Sequence, residues 1–97
     1  MNVKFSVDAL ADIEEAYLHY LRQSTTRAAT LRSAVRQTGA RIADAPRRGT
    51  PGARGTRKIL LNGFPYWIHY RVLESEIEVV AVAHTSRDPE YWLERLT

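Results

Sequence analysis

The sequence predicts an α+β fold in which a helical hairpin packs on an antiparallel sheet. Residues 3–7 alternate between apolar and polar side chains, residues 8–45 carry apolar side chains at helical spacing, and residues 57–84 return to alternation. A run of helices beside a run of strands is typical of α+β domains. The chain has 97 residues, which is the size of a single domain covering residues 1–97. The predicted order is β-α-α-β-β-β followed by a short C-terminal helix.

A short strand and a helix are predicted at the start of the chain. Asp8 follows the strand and is the predicted N-cap of this first helix, because its carboxylate can accept backbone N–H groups. The helix extends to about Arg22, and its apolar face comprises Leu10, Ile13, Tyr17, Tyr20 and Leu21. The acids of the first turns are interpreted as solubilising charges near the positive end of the helix: Asp8, Asp12, Glu14 and Glu15.

A second helix is predicted from a cap within Ser24-Thr25-Thr26 to the vicinity of Pro46, which cannot continue a helix. Its apolar face comprises Leu31, Val35, Thr38, Ile42 and Ala45. Gly39 lies inside this helix at a cost of about 1 kcal/mol relative to alanine. We therefore expect a packing reason for a glycine at that position.

The second half of the chain begins with a basic loop and continues with strands. Residues 46–56 contain three glycines and two prolines, a composition typical of a loop. Alternating side chains then predict three strands, at residues 57–61, 66–73 and 76–84. Asp88 and Pro89 are predicted to open the C-terminal helix as its cap and its first residue.

Charge is distributed unevenly along the chain, although the net charge is only +3. Residues 16–73 contain eleven Lys and Arg and one acid, whereas the two ends together contain three bases and ten acids. Most of the central bases are arginines, whose planar guanidinium fits phosphate or carboxylate. This segment is either an electropositive face for nucleic acid or an acidic protein, or a solvated helix face paired with the acids of the first helix.

Composition excludes or disfavours several function classes. The chain has no cysteine, which excludes disulfides, thiolate metal sites and a cysteine nucleophile. Its three histidines, His19, His69 and His84, lack metal-ligand spacing, so no metal and no cofactor are expected. The longest apolar run, residues 79–83, is too short to cross a membrane, and the first residues lack the apolar stretch of a signal peptide. We therefore expect a cytoplasmic protein.

The strand predicted at residues 66–73 carries most of the chemistry. One face, with Tyr66, Ile68, Tyr70 and Val72, is apolar enough to meet the helices. The other presents Trp67, His69 and Arg71, which combine a stacking surface, a titratable imidazole and a phosphate-binding guanidinium. Candidates to join this row from other segments are Arg57, Arg87 and Tyr91.

Each of these residues also has a structural interpretation. Trp67 can instead pack under the C-terminal helix, against Trp92 or Leu93, because aromatic side chains more often pack than serve as platforms. His84 ends an apolar strand and is interpreted as a hydrogen-bonded structural residue. The row on the strand at residues 66–73 therefore remains open between a functional site and a packed layer.

Four segments carry a recognisable pattern in order and spacing. They read F-S-V-D-A-L-A-D-I-E-E-A-Y at residues 5–17, A-P-R-R-G at 45–49, F-P-Y-W-I-H-Y-R-V at 64–72 and I-E-V-V-A-V-A-H-T-S-R-D-P-E-Y-W at 77–92. Together they resemble the RelE/ParE superfamily of type II toxin–antitoxin toxins. The resemblance implies the compact α+β fold of that superfamily, in agreement with the element order derived above.

The resemblance is closer to the ParE branch than to the RelE branch. RelE-like members are ribosome-dependent mRNA endonucleases whose strand usually reads Tyr-Arg-hydrophobic-x-Tyr, with the arginine on the active face. Trp67 stands at that position here, while Arg71 is similar to the arginine common in ParE-like sequences. The His-x-x-Arg-Asp-Pro pattern at residues 84–89 also favours ParE, and Ser86 stands where a second basic residue often precedes the arginine.

The resemblance therefore implies a toxin of a plasmid-stabilisation type that inhibits DNA gyrase by non-catalytic binding. No catalytic residue is then expected, and the residues expected to contact the target are Trp67, His69, Arg71, Arg87, Tyr91 and Trp92. The alternative is a ribosome-dependent mRNA endonuclease whose base, acid and cationic groups come from His69, Arg71, Arg87 and Tyr91. A nucleic-acid-binding module that tracks phosphates is a third alternative.

A toxin requires a partner, which we expect to be an acidic antitoxin, partly disordered when free, in a hetero-oligomeric complex. An antitoxin segment that folds on the helices and sheet would use the central positive charge and an exposed sheet edge. The residues expected to bind it are Tyr17, Tyr20, Arg32, Arg36 and Arg57. The other expected partner is the target, gyrase or the ribosome, and no membrane contact is expected.

Overall fold

A five-stranded sheet carries two helices on one of its faces in the computed structural model, which describes residues 1–96. The elements are β1 (Asn2–Phe5), α1 (Val7–Leu21), α2 (Thr25–Asp44), β2 (Thr50–Pro51), β3 (Arg57–Leu60), β4 (Tyr66–Val72) and β5 (Glu76–His84), with short 3₁₀ helices at Ala53–Gly55 and Leu93–Leu96. The strand order is β1-β5-β4-β3-β2. The predicted α+β fold, with a helical hairpin on a sheet, is confirmed.

The sheet is mixed, because β1 pairs parallel to β5 while every other neighbouring pair in the described chain is antiparallel. The prediction of a fully antiparallel sheet is wrong for this one pair. The reason lies in the loop at residues 46–56, which contains the two-residue strand β2. Each connection between elements reverses the chain, so the additional reversal at β2 gives β5 the same direction as β1.

The helix boundaries follow from their caps. The N-cap of α1 is Ser6 and not Asp8, because the extended backbone of Ser6 lets its hydroxyl accept the N–H of Ala9 at 3.0 Å. Asp8 lies within the first turn. The predicted cap of α2 is confirmed at Ser24, whose hydroxyl accepts the N–H of Arg27 at 3.1 Å.

The inward face of α1 is narrower than its apolar sequence indicates. Ile13 and Tyr20 are buried as predicted, but Leu10 is 54% exposed and Leu21 is also exposed. Ala9 and Ala16 occupy the other two inward positions of the helix, which brings it close to the sheet and turns Leu10 outward. The helical side of the sheet thereby retains an exposed apolar side chain.

Gly39 does not have the packing reason that was expected. A methyl group built there would lie 3.7 Å from the ring of Phe5, which is an ordinary van der Waals contact. Gly49, in the basic loop, is the glycine that packing requires, because the same methyl group would lie 2.6 Å from the hydroxyl of Tyr70 and 2.9 Å from the carbonyl oxygen of Lys58.

A β-bulge in β5 divides its apolar residues between the two faces of the sheet. The pairing with β4 shifts between His69 and Tyr70, so that Val80 has no partner of its own. Ile77, Val79 and Val82 belong to the core under the helices, whereas Val80, Ala81 and Ala83 belong to a second cluster. We call the sheet surface that carries this second cluster the second face.

The C-terminal segment, residues 85–96, covers part of the second face. The prediction that a C-terminal helix begins at Asp88 is wrong. The carboxylate of Asp88 accepts the N–H of Glu90 at 3.0 Å, which makes a tight turn, and regular structure resumes only in the 3₁₀ helix at Leu93–Leu96. None of the helices within residues 1–96 has the length and apolarity needed to span a membrane.

Candidate functional site

The residues of the predicted row on β4 divide between burial and partial exposure. His69 is 5% exposed and Trp92 is 2% exposed, and their rings stack with centroids 4.3 Å apart. The tryptophan of the C-terminal segment therefore packs on His69. Trp67 itself is half-buried, and its ring faces the ammonium of Lys58 at 4.3 Å.

The electrostatic environment of His69 favours its neutral form. Burial, with a smaller contribution from the nearby ammonium of Lys58, lowers the pKa of His69 to about 4, while Asp12 acts in the opposite direction. Lys58 lies directly opposite His69 in the β3–β4 pair, which explains its influence. At neutral pH this side chain is an uncharged, enclosed imidazole.

The two arginines of the predicted target-binding set make their contacts away from His69. Arg71 forms an ion pair with Glu78, its cross-strand neighbour on β5, at 2.8 Å. Arg87 stacks on the ring of Tyr91 at 4.0 Å, and burial raises the pKa of the Tyr91 phenol. Within residues 1–96, no hydrogen bond or ion pair joins either guanidinium to His69. The structure therefore brings His69 and Trp92 together, and separately Arg87 and Tyr91.

An ion pair between Asp12 and Arg95 fastens the C-terminal segment to the edge of β5. Pairing with β1 ends at Val79, and beyond that point the carboxylate of Asp12 accepts the N–H of Val82 at 2.9 Å. Arg95 donates to both carboxylate oxygens of Asp12, at 2.7 and 3.1 Å, and to the carbonyl of Val80 at 3.1 Å. The pair closes an edge that would otherwise expose unpaired backbone groups.

This role of Asp12 was missed by the sequence analysis, which interpreted it as a solubilising charge. The interpretation is wrong because both partners lie far away along the chain, 70 and 83 residues from Asp12. The one sequence signal is that Arg95 is one of only three bases in the otherwise acidic ends of the chain. The hydrogen bond to Asp12 raises the pKa of Arg95.

The basic loop at residues 46–56 is fixed to the sheet by Tyr70 and Arg57. The Tyr70 hydroxyl accepts the N–H of Gly49 and donates to the carbonyl of Pro46, both at 2.8 Å. The Arg57 guanidinium donates to the carbonyls of Gly49 and Arg47, at 2.9 and 3.2 Å. Arg57, which was expected to bind an antitoxin, therefore uses its guanidinium within the chain.

A cleft of about 200 Å³ opens between this loop and the C-terminal segment on the second face. Trp67, His69 and Lys58 come from the sheet, and the walls come from residues 51–56 and 89–92. Arg54 has a left-handed backbone conformation, with a φ of 55°. Its guanidinium donates a hydrogen bond to the carbonyl of Leu93 at 3.2 Å and so connects the two walls. Lys58 was not singled out from the sequence as a site residue, although its position opposite His69 follows once the strand register is known.

A second, apolar groove lies on the helical side between α1 and α2. Phe5, Leu10, Ile13 and Val35 line it, and Arg32 and Arg36 stand at its rim, around a volume of about 160 Å³. The exposed side chain of Leu10 therefore forms part of the groove wall.

Of the other residues expected to contact an antitoxin, Tyr17 lies beside this groove and Tyr20 lies in the core. The Arg32 guanidinium stacks on Tyr17 at 3.9 Å and pairs with Glu14 at 3.0 Å, both at the surface. Tyr20 is buried in the core against Phe64, so its side chain does not form part of the surface.

His84 is hydrogen-bonded at the end of β5, and the metal-ligating residue types form no metal site in the described chain. His84 accepts the N–H of Ser86 at 3.0 Å and contacts the edge of Tyr66, so its interpretation as a hydrogen-bonded residue at the strand end is confirmed. Among residues 1–96 there is no group of three His, Cys, Asp or Glu side chains placed to hold a metal ion.

Comparison with known families assigns the chain to a family. Residues 3–89 match the family described as "ParE toxin of type II toxin-antitoxin system, parDE". The chain belongs to the ParE toxin family. The resemblance to the RelE/ParE superfamily, and its closer relation to the ParE branch, are thus confirmed.

Solved structures confirm the fold of this ParE-family chain. One is a chain of the "Chromosomal ParDE TA system from P. aeruginosa", which superposes with a TM-score of 0.77 at 20% identity over 87% of this chain and 95% of the other. At that identity the similarity concerns the fold. A search of curated proteins finds no significant match.

Proposed function

We propose that this ParE-family toxin inhibits DNA gyrase by binding it, without breaking any bond itself, and that a cognate antitoxin neutralises it. The enclosure of His69 under Trp92 is the observation that carries the non-catalytic part of the proposal. RNA cleavage through the 2′-OH requires a base within hydrogen-bond reach of that hydroxyl. An imidazole that is 5% exposed and covered by an indole does not offer such a contact.

The other groups of the nuclease alternative support the same conclusion. The guanidinium of Arg71 is committed to Glu78, so it is not free to stabilise a phosphorane. The raised pKa of Tyr91 keeps its phenol protonated, which excludes it as a general base at neutral pH. Trp67 stands at the position where the nuclease branch carries an arginine. The partly exposed aromatic and cationic groups, Trp67, Arg87 and Tyr91, are better suited to binding a large target.

The proposal is tested by induced expression in bacteria with two readouts taken from the same cultures. We expect DNA double-strand damage to accumulate and primer extension on abundant messages to show no new ends. A gyrase allele resistant to other poisons of the enzyme serves as a host control. Ribosome-dependent mRNA cuts without DNA damage would contradict the proposal and support the nuclease alternative.

The apolar groove between α1 and α2 is the surface that we propose for the antitoxin. Leu10, which is 54% exposed, offers apolar surface to an amphipathic helix in the groove. Arg32 and Arg36 at the rim can pair with acidic side chains of that helix. The ion pair of Arg32 with Glu14 is solvent-exposed and therefore weak, so it can be exchanged for an antitoxin carboxylate at little cost. Tyr17 contributes an aromatic face beside Arg32.

Charge reversal at the rim tests the electrostatic part of this proposal. The double variant Arg32→Glu with Arg36→Glu should slow association with the antitoxin by about tenfold at low salt and flatten its salt dependence. Arg41→Glu, an exposed change on α2 that lies outside the groove lining, is the single-charge control. Stopped-flow association that is indifferent to ionic strength, for the unmodified toxin, would reject the role of charge.

A further inference from the structure

The cleft on the second face has the size and lining of a site for one flat ring system. Its volume of about 200 Å³ lies below the range typical of pockets for drug-sized ligands, so it suits a single planar group. The indole of Trp67 is half-buried at the floor, and the indole of Trp92 forms part of one wall. Aromatic side chains placed in this way stack on planar groups irrespective of their exact substituents.

A cation lies against the indole on which a base would stack. The Lys58 ammonium rests over the face of Trp67 at 4.3 Å, as a diagonal neighbour across the β3–β4 pair. The segment around it, residues 46–58, contains five Lys and Arg and no acid. A base that stacks on Trp67 displaces this flexible ammonium toward the base's own phosphate. Glu90, on the opposite wall, is the one acid that lines the cleft in the described chain.

Among the described residues that line this cleft, one fully buried side-chain donor has no hydrogen-bond partner. The indole N–H of Trp92 is buried and has no acceptor among residues 1–96. A buried donor without a partner is costly, and an acceptor that reached it from the cleft, such as a base carbonyl or ring nitrogen, would remove that cost. A protein side chain of purely apolar character would not.

The walls of the cleft are held in place before any ligand arrives. Arg54 adopts a left-handed backbone conformation, which is uncommon for a residue other than glycine, and its guanidinium bonds to the Leu93 carbonyl across the two walls. The Asp12–Arg95 pair fixes the end of the C-terminal segment. A preformed site loses less conformational entropy on binding than one that must be assembled.

From these observations we infer that the cleft binds a single unstacked nucleobase of a nucleic acid strand, with the base on Trp67 and the adjoining phosphate on Lys58. The inference goes beyond gyrase inhibition and does not require gyrase to be the target. It commits to nucleic acid because the cleft combines an aromatic floor, a phosphate-compatible cation and an unused polar donor. Stacking of this kind tolerates any base, so little sequence preference is expected.

The two tryptophans of the chain, Trp67 and Trp92, both line the cleft, so intrinsic fluorescence reports on it directly. The purified toxin is titrated with a short oligothymidylate and with an abasic oligonucleotide of equal length and charge, in the absence of gyrase. We expect saturable quenching by oligothymidylate and at least about tenfold weaker binding of the abasic strand. Equal binding of both strands, or no binding of either, would overturn the inference.

Variants separate the stacking contact from the charge. Trp67→Leu, followed through Trp92 and by calorimetry, should weaken oligothymidylate binding about tenfold or more, and Lys58→Met should lower the salt slope by about one. Arg41→Met, an exposed change on α2 outside the cleft, should leave binding unaltered. Equal weakening by Lys58→Met and Arg41→Met, with no change in Trp67→Leu, would show non-specific charge attraction and contradict the inference.

A gain of affinity is the sharpest test, because no failure of folding can imitate it. Glu90→Gln removes the exposed carboxylate that opposes a phosphate at the cleft, and it should tighten oligothymidylate binding about threefold at low salt. A second titration uses N-acetyl-tryptophanamide as a stand-in for a protein side chain. Binding of that compound together with no binding of oligothymidylate would assign the cleft to a protein partner and reject the inference.

Discussion

The two faces of the sheet are built by different means. The helical face is covered by α1 and α2 through a large apolar core that includes Leu31, Ile42 and Tyr70. The second face is covered by twelve residues of the C-terminal segment and a loop, around a small cluster centred on Trp92. The segment and the loop are fixed by specific polar contacts, among them Asp12 with Arg95 and Arg54 with Leu93.

This difference determines which charges are free to act on a partner. On the helical side, Arg32 and Arg36 stand at the surface beside an open apolar groove. On the second face, Arg71 and Arg95 are committed to carboxylates and His69 is enclosed. The helical side thus suits a partner that folds on it, whereas the second face suits binding in a preformed cleft, where the imidazole of His69 is not accessible as a base.

A methyl group added at two glycines separates the two regions most strongly. Gly49→Ala should lower the free energy of unfolding by at least about 3 kcal/mol, because the new atom would overlap the Tyr70 hydroxyl and the Lys58 backbone. Gly39→Ala on the helical side should be neutral or stabilising by up to about 1 kcal/mol, because its methyl group meets Phe5 at an ordinary distance. Urea denaturation measures both, and equal losses would contradict the packing described here.

Acidification should weaken the second face through His69. Its pKa of about 4 in the folded chain lies below the usual value of 6.5, so the unfolded chain binds the proton first as pH falls. Stability is then full above about pH 6.5 and declines toward pH 4, by up to about 3 kcal/mol in total. His69→Gln should remove this part of the pH dependence, and His84→Gln should retain it. An unchanged pH profile in His69→Gln would show that the imidazole is not enclosed.

Removing an acid from each side compares a partly buried ion pair with an exposed one. Asp12→Ala leaves Arg95 and the N–H of Val82 without their partner and should cost about 2 kcal/mol of unfolding free energy. Glu14→Ala removes only the surface pair with Arg32 and should cost less than about 0.5 kcal/mol. Tryptophan emission should shift to the red in Asp12→Ala alone, since Trp92 lies in the segment that the pair secures. Equal costs in the two variants would be inconsistent with this account.

The parts of the fold that were predicted correctly depend on near neighbours in the sequence. The cap at Ser24 and the ends of α2 and β5 follow from side chains within a few residues. The direction of β1, the bulge at Val80 and the partners of Asp12 depend on strands that meet only in the folded chain. No local pattern at Asp12 distinguishes a solvated acid from one that pairs 83 residues away.

In the candidate site too, local patterns were predicted correctly and contacts between distant segments were not. The alternation along β4 correctly placed Trp67, His69 and Arg71 on the face opposite Tyr66, Ile68 and Tyr70. Which of them would be enclosed depended on the path of the C-terminal segment, and that path turned at Asp88 where a helix was predicted. The exposure of Leu10 depended in the same way on the close approach of α1 to the sheet.

The central claim is that the toxin binds its target and catalyses nothing, and the stoichiometry of inhibition tests it most directly. A fixed amount of purified gyrase is titrated with toxin, and supercoiling is measured after short and long incubations. The account predicts that inhibition saturates near a fixed toxin-to-gyrase ratio and does not deepen with time beyond the approach to binding equilibrium. Inhibition by a small fraction of an equivalent that keeps growing with time would contradict it, as would an absence of inhibition at excess toxin.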